Sequence, residues 1–420
     1  MKKLFLITEN FPYGTTGENA FILSELPEIV KYYDVTVISH ASEAALNDCA
    51  DLTGLPSEVK VINIQIKLTW YRKLKYLIRY LCDADGIKEI GEILKSNGNY
   101  LQRLRYSVSF YALAMEDFRL IKKKKLFSAD DEAIYYTYWY YYYTYGISKN
   151  RKYFPNMKVV TRVHGFDLYD EQCTVGRQPF QKIMDKNVDR IFFISEQGKS
   201  YYLNKYHFDN YSKYIVSRLG TIGIKHLPDV VDRAHGKFRL VSCSSVIPLK
   251  RVNLIVEALS ELTEEIEWIH FGDGSEFGNL KELAARLLKN KSNIGYQLKG
   301  YIANQEIIQY YGNNYVHCFI TTSSTEGIPV SAQEAMSFGI PIIATAVGGV
   351  PELIDGNGIL MDADPNAQEV ADAIRTMVHM GGQAYEELRK SSYRIWCERY
   401  DAEVNRERFI QMLETVSTMS

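Results

Sequence analysis

No apolar run in this chain approaches the roughly 20 residues that a membrane-crossing helix needs. The six cysteines (Cys49, Cys82, Cys173, Cys243, Cys318 and Cys397) are scattered with no short spacing. That speaks against a disulfide framework or a zinc knuckle and fits a reducing cytoplasm. The opening MKKLFLIT has a basic flank, but its apolar part is too short for a signal peptide and polar loop residues follow at once. No recognised nucleic-acid motif accompanies the basic residues, so nucleic acid is not an expected partner. Charge of one sign is also missing overall, since the net charge is −2.

What is present is a chain of 420 residues, 46% hydrophobic and 24% charged, the composition of a soluble globular protein and too long for one ordinary core. The near-zero charge hides an asymmetry. Residues 1–215 carry 30 Lys and Arg against 25 Asp and Glu, and residues 216–420 carry 19 against 26. The basic charge is bunched. KLTWYRKLKYLIRYL (67–81) contains five cations and no acid, and Lys122 to Lys125 are consecutive. Basic residues interleaved with Leu, Trp, Tyr and Ile suit a helix lying on an anionic membrane surface. A solvated basic face gives the same composition.

Short apolar runs alternate with helical patterns in both halves. KLFLIT (3–8), DVTVIS (34–39), VKVINI, AIYYTYW, KVVTRVHG and DRIFFIS read as strands of the first half. FRLVSCSSV (238–246), IEWIHFGDG (266–274), IGYQLKGYI, VHCFITTS and PIIATAVGG restart the rhythm. Such alternation predicts α/β architecture with parallel βαβ units in two doubly wound sheets. The join falls in 217–236, where Gly and Pro interrupt and no period persists. The expected division is 1–218, 219–395 and a final helix, 396–420, returning toward the first domain. Ligands of open parallel sheets bind beyond the carboxyl ends of the strands, so two facing sheets would form a cleft.

The stretch STEGIPVSAQEAMSFGIP holds Glu326 and Glu334. Glu326 follows a predicted strand, and Glu334 lies in a helix opening around Pro329. Backbone N–H groups of Gly327, Ile328, Val330 and Ser331 would point at an anion, assisted by the helix dipole. Acids in that setting serve better as acceptors for sugar or ribose hydroxyls than as an acid/base pair, and an acid that merely complements the dipole is the bland alternative. Lys250 stands in the loop after another strand, where it would neutralise a diphosphate or simply be a surface lysine. Gly272 and Gly274 mark a third strand end. With Gly278 they imitate a dinucleotide fingerprint, but with the wrong spacing and in mid-series, which disfavours a dehydrogenase.

The segment STEGIPVSAQEAMSFGIPIIATAVGGVPELI resembles the E-x(7)-E region of family 4 of the retaining glycosyltransferases, enzymes of the two-domain GT-B fold. ENFPYGTTGENAFILSEL, TRVHGFDLY, PLKRVNLIVEAL and LKGYIANQEIIQYY resemble further segments of that family, in the family's order. The resemblance implies a nucleotide-diphosphate sugar, most simply UDP-linked, as donor, with no metal or other cofactor required. Glu326 would contact donor-sugar hydroxyls and Glu334 the ribose. Lys250 would hold the leaving diphosphate, and Gly17 would let the backbone approach the donor from the opposite domain. His164 would face the sugar, unless it is a buried histidine satisfied by backbone. Gly300 and Ile302 would lie beside the base. The implied product is a bacterial-type surface polysaccharide or glycolipid, made by an enzyme at the inner face of the cell membrane.

One position departs from the family, whose arginine five residues before the phosphate lysine is here Ser245. A serine cannot replace a bidentate guanidinium. Either Arg251 or Arg218 substitutes, or catalysis is weakened, which would make the chain a sugar-nucleotide-binding scaffold; a sugar-nucleotide epimerase of the same fold is a third reading. The triplets Asp83-Ala-Asp85 and Asp362-Ala-Asp364 read as chance surface features. AIYYTYWYYYYTYG (133–146) contributes eight of the 32 tyrosines. It places Tyr138 and Trp139, with Asp167 nearby, as candidates for stacking on or binding a glycan or polyprenyl-linked acceptor. For most of its tyrosines, burial is the expectation.

Overall fold

A computed structural model describes residues 1–13, 17–47, 54–127, 132–154, 156–209, 211–227 and 236–417. Part of the predicted join, 228–235, and the last three residues of the expected tail lie outside these. The chain divides into two compact units, Met1–Ser217 with Arg406–Ser420, and Arg218–Asn405.

In the first unit, β1 (Lys2–Thr8), β2 (Tyr33–Ser39), β3 (Lys60–Asn63), β4 (Ala133–Thr137), β5 (Met157–Val163), β6 (Arg190–Phe193) and β7 (Tyr214–Val216) form one sheet. Its order is β3-β2-β1-β4-β5-β6-β7, parallel throughout. The runs that read as unbroken apolar strands do so because helices cover both faces: all five residues of β4 are buried. Between β3 and β4 the chain inserts three helices, Trp70–Cys82, Ala84–Lys95 and Tyr100–Lys123. The first two share Asp83, whose carboxylate caps the second by accepting the Asp85 N–H at 3.0 Å. Asp83 and Asp85 also hold Lys149, so this pair is part of an ion-pair network and not the chance surface feature expected.

The second unit repeats the design. β8 (Phe238–Cys243), β9 (Ile266–Phe271), β10 (Ile294–Leu298), β11 (Cys318–Thr321), β12 (Ile342–Thr345) and β13 (Gly358–Met361) are parallel, in the order β10-β9-β8-β11-β12-β13. The strand order therefore reverses once in each sheet, between β1 and β4 and between β8 and β11. A crevice opens beyond the strand ends at such a reversal.

The single helix expected over 396–420 is replaced by two. Gly382–Arg399 already contains Trp396, and Ala402–Ser417 follows. The break is imposed by pairing: the Thr221 N–H donates to the Tyr400 carbonyl at 2.9 Å and the Ala402 N–H to the Thr221 carbonyl at 3.1 Å. Asp401 then accepts the Glu403 N–H at 2.8 Å and starts the last helix. From that helix Phe409, Ile410, Leu413 and Val416 enter the first unit's core. Phe409 lies under the buried Arg162 guanidinium, 4.2 Å away, and Arg162 is paired to Glu25 at 2.8 Å.

Candidate active site

The second unit gathers its candidates at the β8/β11 reversal. After β8 the chain passes Ser245, which is exposed, and makes a short turn at Pro248–Lys250. After β11 it runs through Ser323 to Glu326. The loops are stitched together: the Ser324 N–H donates to the Leu249 carbonyl at 2.8 Å, and the Thr322 hydroxyl to the Arg251 carbonyl at 3.0 Å. This brings the Lys250 ammonium onto the Glu326 carboxylate as an ion pair. Glu326 Oε1 also accepts the Ser323 hydroxyl at 2.7 Å. Two residues 76 positions apart are thus joined at the mouth of the crevice.

The helix Val330–Ser337 begins four residues after Glu326, with Pro329 at its N-cap. Its first N–H groups have no partner within the helix and carry the positive end of its dipole. The Ser331 hydroxyl, half-buried, donates to the Cys243 carbonyl at 2.9 Å, fixing this helix start to the end of β8. Glu334, one turn in, is buried and accepts the Asn304 amide at 2.7 Å. Burial pushes its carboxyl up to about 7, with the Asn304 N–H opposing. The neighbouring Cys243 thiol is pushed up to about 12, by burial first and then by the Glu334 charge.

Glycines fix the loops. Gly348 has φ +50°, and a Cβ there would stand 1.8 Å from the Glu326 carbonyl. The Gly349 N–H donates to the Gly327 carbonyl at 2.9 Å. The loop after β12 therefore buttresses Glu326. Gly272 bridges Gly300, donating N–H to carbonyl at 2.8 Å, and a Cβ on it would meet the Ser244 carbonyl at 1.9 Å. A Cβ on Gly274 would meet the Val246 carbonyl at 2.4 Å. Both glycines are thereby required by the packing of the β9 loop on the β8 loop. Ile302 follows Gly300 and packs half-buried on the second unit's core.

In the first unit the candidates cluster after β4 and β5. His164 follows β5 directly and is 8% exposed. Its ring lies 4.2 Å from Trp139 and 4.9 Å from Tyr138. Neither ring nitrogen has a hydrogen-bond partner among the described residues, so the alternative of a histidine satisfied by backbone is set aside. Trp139 is half-buried, and its Nε1–H donates to Glu18 at 2.6 Å. Glu18, which the sequence reading missed, also accepts the N–H groups of Glu9, Asn10 and Phe11. A buried carboxylate thereby organises the segment that leads from β1 toward the helix opened by Gly17.

Four expectations are corrected. Tyr138 is 1% exposed and packed against His164, so it has no face to offer an acceptor. Asp167 is fully buried, with its two oxygens taken by the His164 and Tyr140 N–H groups at 2.8 Å each; it holds the two strand ends together. Arg251 does not replace the missing arginine. It adopts φ +46° and spends its guanidinium on the carbonyls of Thr322, Ser323 and Ala363 and on the Asp364 carboxylate. Arg218 is likewise held by Glu352 at 2.7 Å. Of the residues missed, Ser323 and the Gly348–Gly349 pair lie within or beside a motif already quoted. Asn304 and Glu18 lie inside two further quoted segments, LKGYIANQEIIQYY and ENFPYGTTGENAFILSEL, but nothing in those segments singled them out from their polar neighbours.

The family model described as glycosyl transferases group 1 matches residues 225–394. Over 198 residues the chain is 26% identical to the UDP-N-acetylglucosamine--peptide N-acetylglucosaminyltransferase GtfA subunit of Streptococcus pneumoniae, a match covering 45% of this chain and 37% of that protein. The chain spans from 30% to 62% of the length of curated relatives of this kind. Among solved structures, the apo form of the lipopolysaccharide outer core galactosyltransferase WaaB superposes with a TM-score of 0.67 at 16% identity over 99% of both chains. Anabaena Alr3699/HepE in complex with UDP gives 0.65 at 15%, over 99% of this chain and all of that one. At such identities the likeness is one of fold, and the fold is of GT-B type. The residues matched by the glycosyl transferases group 1 model, 225–394, carry Lys250, Glu326 and Glu334.

Proposed function

We propose that this protein transfers a sugar, with retention of anomeric configuration, from a nucleotide-diphosphate sugar to a glycan or polyprenyl-linked acceptor. UDP is the favoured nucleotide, since a structural neighbour is described with UDP bound. The observation that carries the reading is the Lys250–Glu326 pair at the β8/β11 reversal, with Glu334 one turn into the adjoining helix. Lys250 takes the leaving diphosphate together with the N–H groups of Gly327, Ile328, Val330 and Ser331. Glu326 accepts hydroxyls of the donor sugar, and Glu334 those of the ribose. His164 and Gly17 are assigned to the donor sugar by resemblance. The leaving phosphate helps to accept the acceptor's proton as attack occurs on the face of departure. Cation and helix dipole neutralise the phosphates without a metal. We place the enzyme in the cytoplasm, in surface polysaccharide or glycolipid synthesis.

A second reading is favoured by one observation: Ser245 leaves Lys250 without a partner arginine, and Arg251 and Arg218 are committed elsewhere. On that reading the chain is a sugar-nucleotide-binding scaffold with little turnover. Incubation with a panel of nucleotide sugars, with and without lipid-linked acceptor, decides. Nucleotide release only with acceptor, lost about 100-fold or more in Glu326→Ala and Lys250→Ala, supports transfer. Binding without turnover supports the scaffold, and an isomerised donor refutes both.

A further inference from the structure

The helix Trp70–Cys82 is apolar on two sides. Inward, Tyr76 and Tyr80 are buried, their hydroxyls on Glu116 at 2.7 Å and Ser107 at 3.0 Å. Outward, Trp70, Leu74, Leu77, Ile78 and Leu81 repeat at the three- and four-residue spacing of one helical stripe, and all stand exposed, Trp70 at 77%. A surface helix normally turns its polar side outward, whereas this one exposes an apolar stripe between its cations. Lys73 borders the stripe on one edge, Lys75 and Arg79 on the other, all exposed, and no acid occurs from 67 to 82. Ile87 and Leu94 of the next helix are exposed as well. The contacts of Arg72 with Glu116 and of Tyr80 with Ser107 run this helix antiparallel to Tyr100–Lys123. The exposed Lys122 to Lys125 therefore follow at its Trp70 end.

We propose that this face docks on a lipid bilayer bearing anionic headgroups, the leucines and Trp70 entering the headgroup boundary while the bordering cations meet lipid phosphates. Charge selects this occupant over a second copy of the chain, because a two-fold pairing of the stripe would bring cations against cations. The inference stands apart from the transfer reaction, and its test contains no nucleotide.

The 420-residue protein is floated with vesicles of phosphatidylcholine alone or of equimolar phosphatidylcholine and phosphatidylglycerol. Binding is expected on the anionic vesicles, weakened by salt. Lys73→Gln with Lys75→Gln lowers partitioning by roughly 25-fold, about fivefold for each cation. Leu74→Ser with Leu77→Ser and Leu81→Ser abolishes it while the circular dichroism and melting profile stay as in the parent, since these side chains contact water. Trp70 emission shifts to the blue on the vesicles, and Trp70→Phe removes that shift, because Trp268 and Trp396 are buried and Trp139 is half-buried on a different part of the unit, against His164. No flotation, or equal flotation on neutral vesicles, overturns the proposal. Self-association without vesicles that vanishes in the leucine variant overturns it too, and assigns the face to a second copy.

Discussion

Glu334 gives the site a proton dependence that can be worked through. Its carboxyl sits at about 7 rather than near the ordinary 4.3, because burial disfavours the charged form more than the Asn304 amide favours it. If only the carboxylate accepts the ribose hydroxyls, the competent fraction is about one tenth at pH 6, about half at pH 7 and about nine tenths at pH 8. UDP affinity should therefore rise by about tenfold from pH 6 to pH 8, and binding at pH 7 should release about half a proton. Titration calorimetry at pH 7, repeated in phosphate and in Tris, reads that proton from the difference in apparent enthalpy. Glu334→Gln supplies the control, because it cannot titrate and keeps only the ligand's own phosphate ionisation. Stability runs the other way. The native state binds this proton more tightly than the unfolded chain, so its contribution is full below about pH 4 and is lost as pH rises to 7, at up to about 1.4 kcal/mol per unit. A wild-type protein whose pH profile for UDP matches that of Glu334→Gln refutes the reasoning.

Gly348→Ala places a Cβ against the Glu326 carbonyl at a positive φ. Donor turnover should drop at least tenfold and the melting temperature should fall with it, since alanine is strained at this φ; steady-state assays below the transition, beside circular dichroism, separate the two effects. Ser245→Arg should tighten UDP binding by about tenfold, the worth of one charge-assisted contact to phosphate; no change would mean that Ser245 does not face the diphosphate. Arg162→Met leaves Glu25 buried without a partner and should cost about 3–5 kcal/mol in urea unfolding, most of it recovered in the double variant with Glu25→Leu.

Much of this was legible because periodicity and order survive in one dimension. Apolar runs between helical patterns announce parallel strands, and the loops after β8 and β11 are where the reading put Lys250 and Glu326. What failed is what a sheet with two covered faces conceals. Tyr138 and Trp139 are neighbours in sequence, yet alternation along the strand end buries one and leaves the other half-open, and composition gives no sign of which. Asp167 looked like a ligand-binding acid because nothing in a sequence shows a carboxylate consumed by N–H groups. The same blindness applied to Arg251, whose partners are backbone carbonyls, and to the helix break at Tyr400, which answers to Thr221 far upstream.

The pairing of Lys250 with Glu326 satisfies both charges within the protein, and on the proposed reading ligands should be ranked by what they return for breaking it. An intact sugar nucleotide offers phosphate to the ammonium and hydroxyls to the carboxylate, so both partners are exchanged like for like. A spent nucleotide offers phosphate alone and strands Glu326, whose remaining donor is the Ser323 hydroxyl. If the chain is the transferase proposed, the ion pair would re-form at the nucleotide's expense and so expel the product before the next donor arrives.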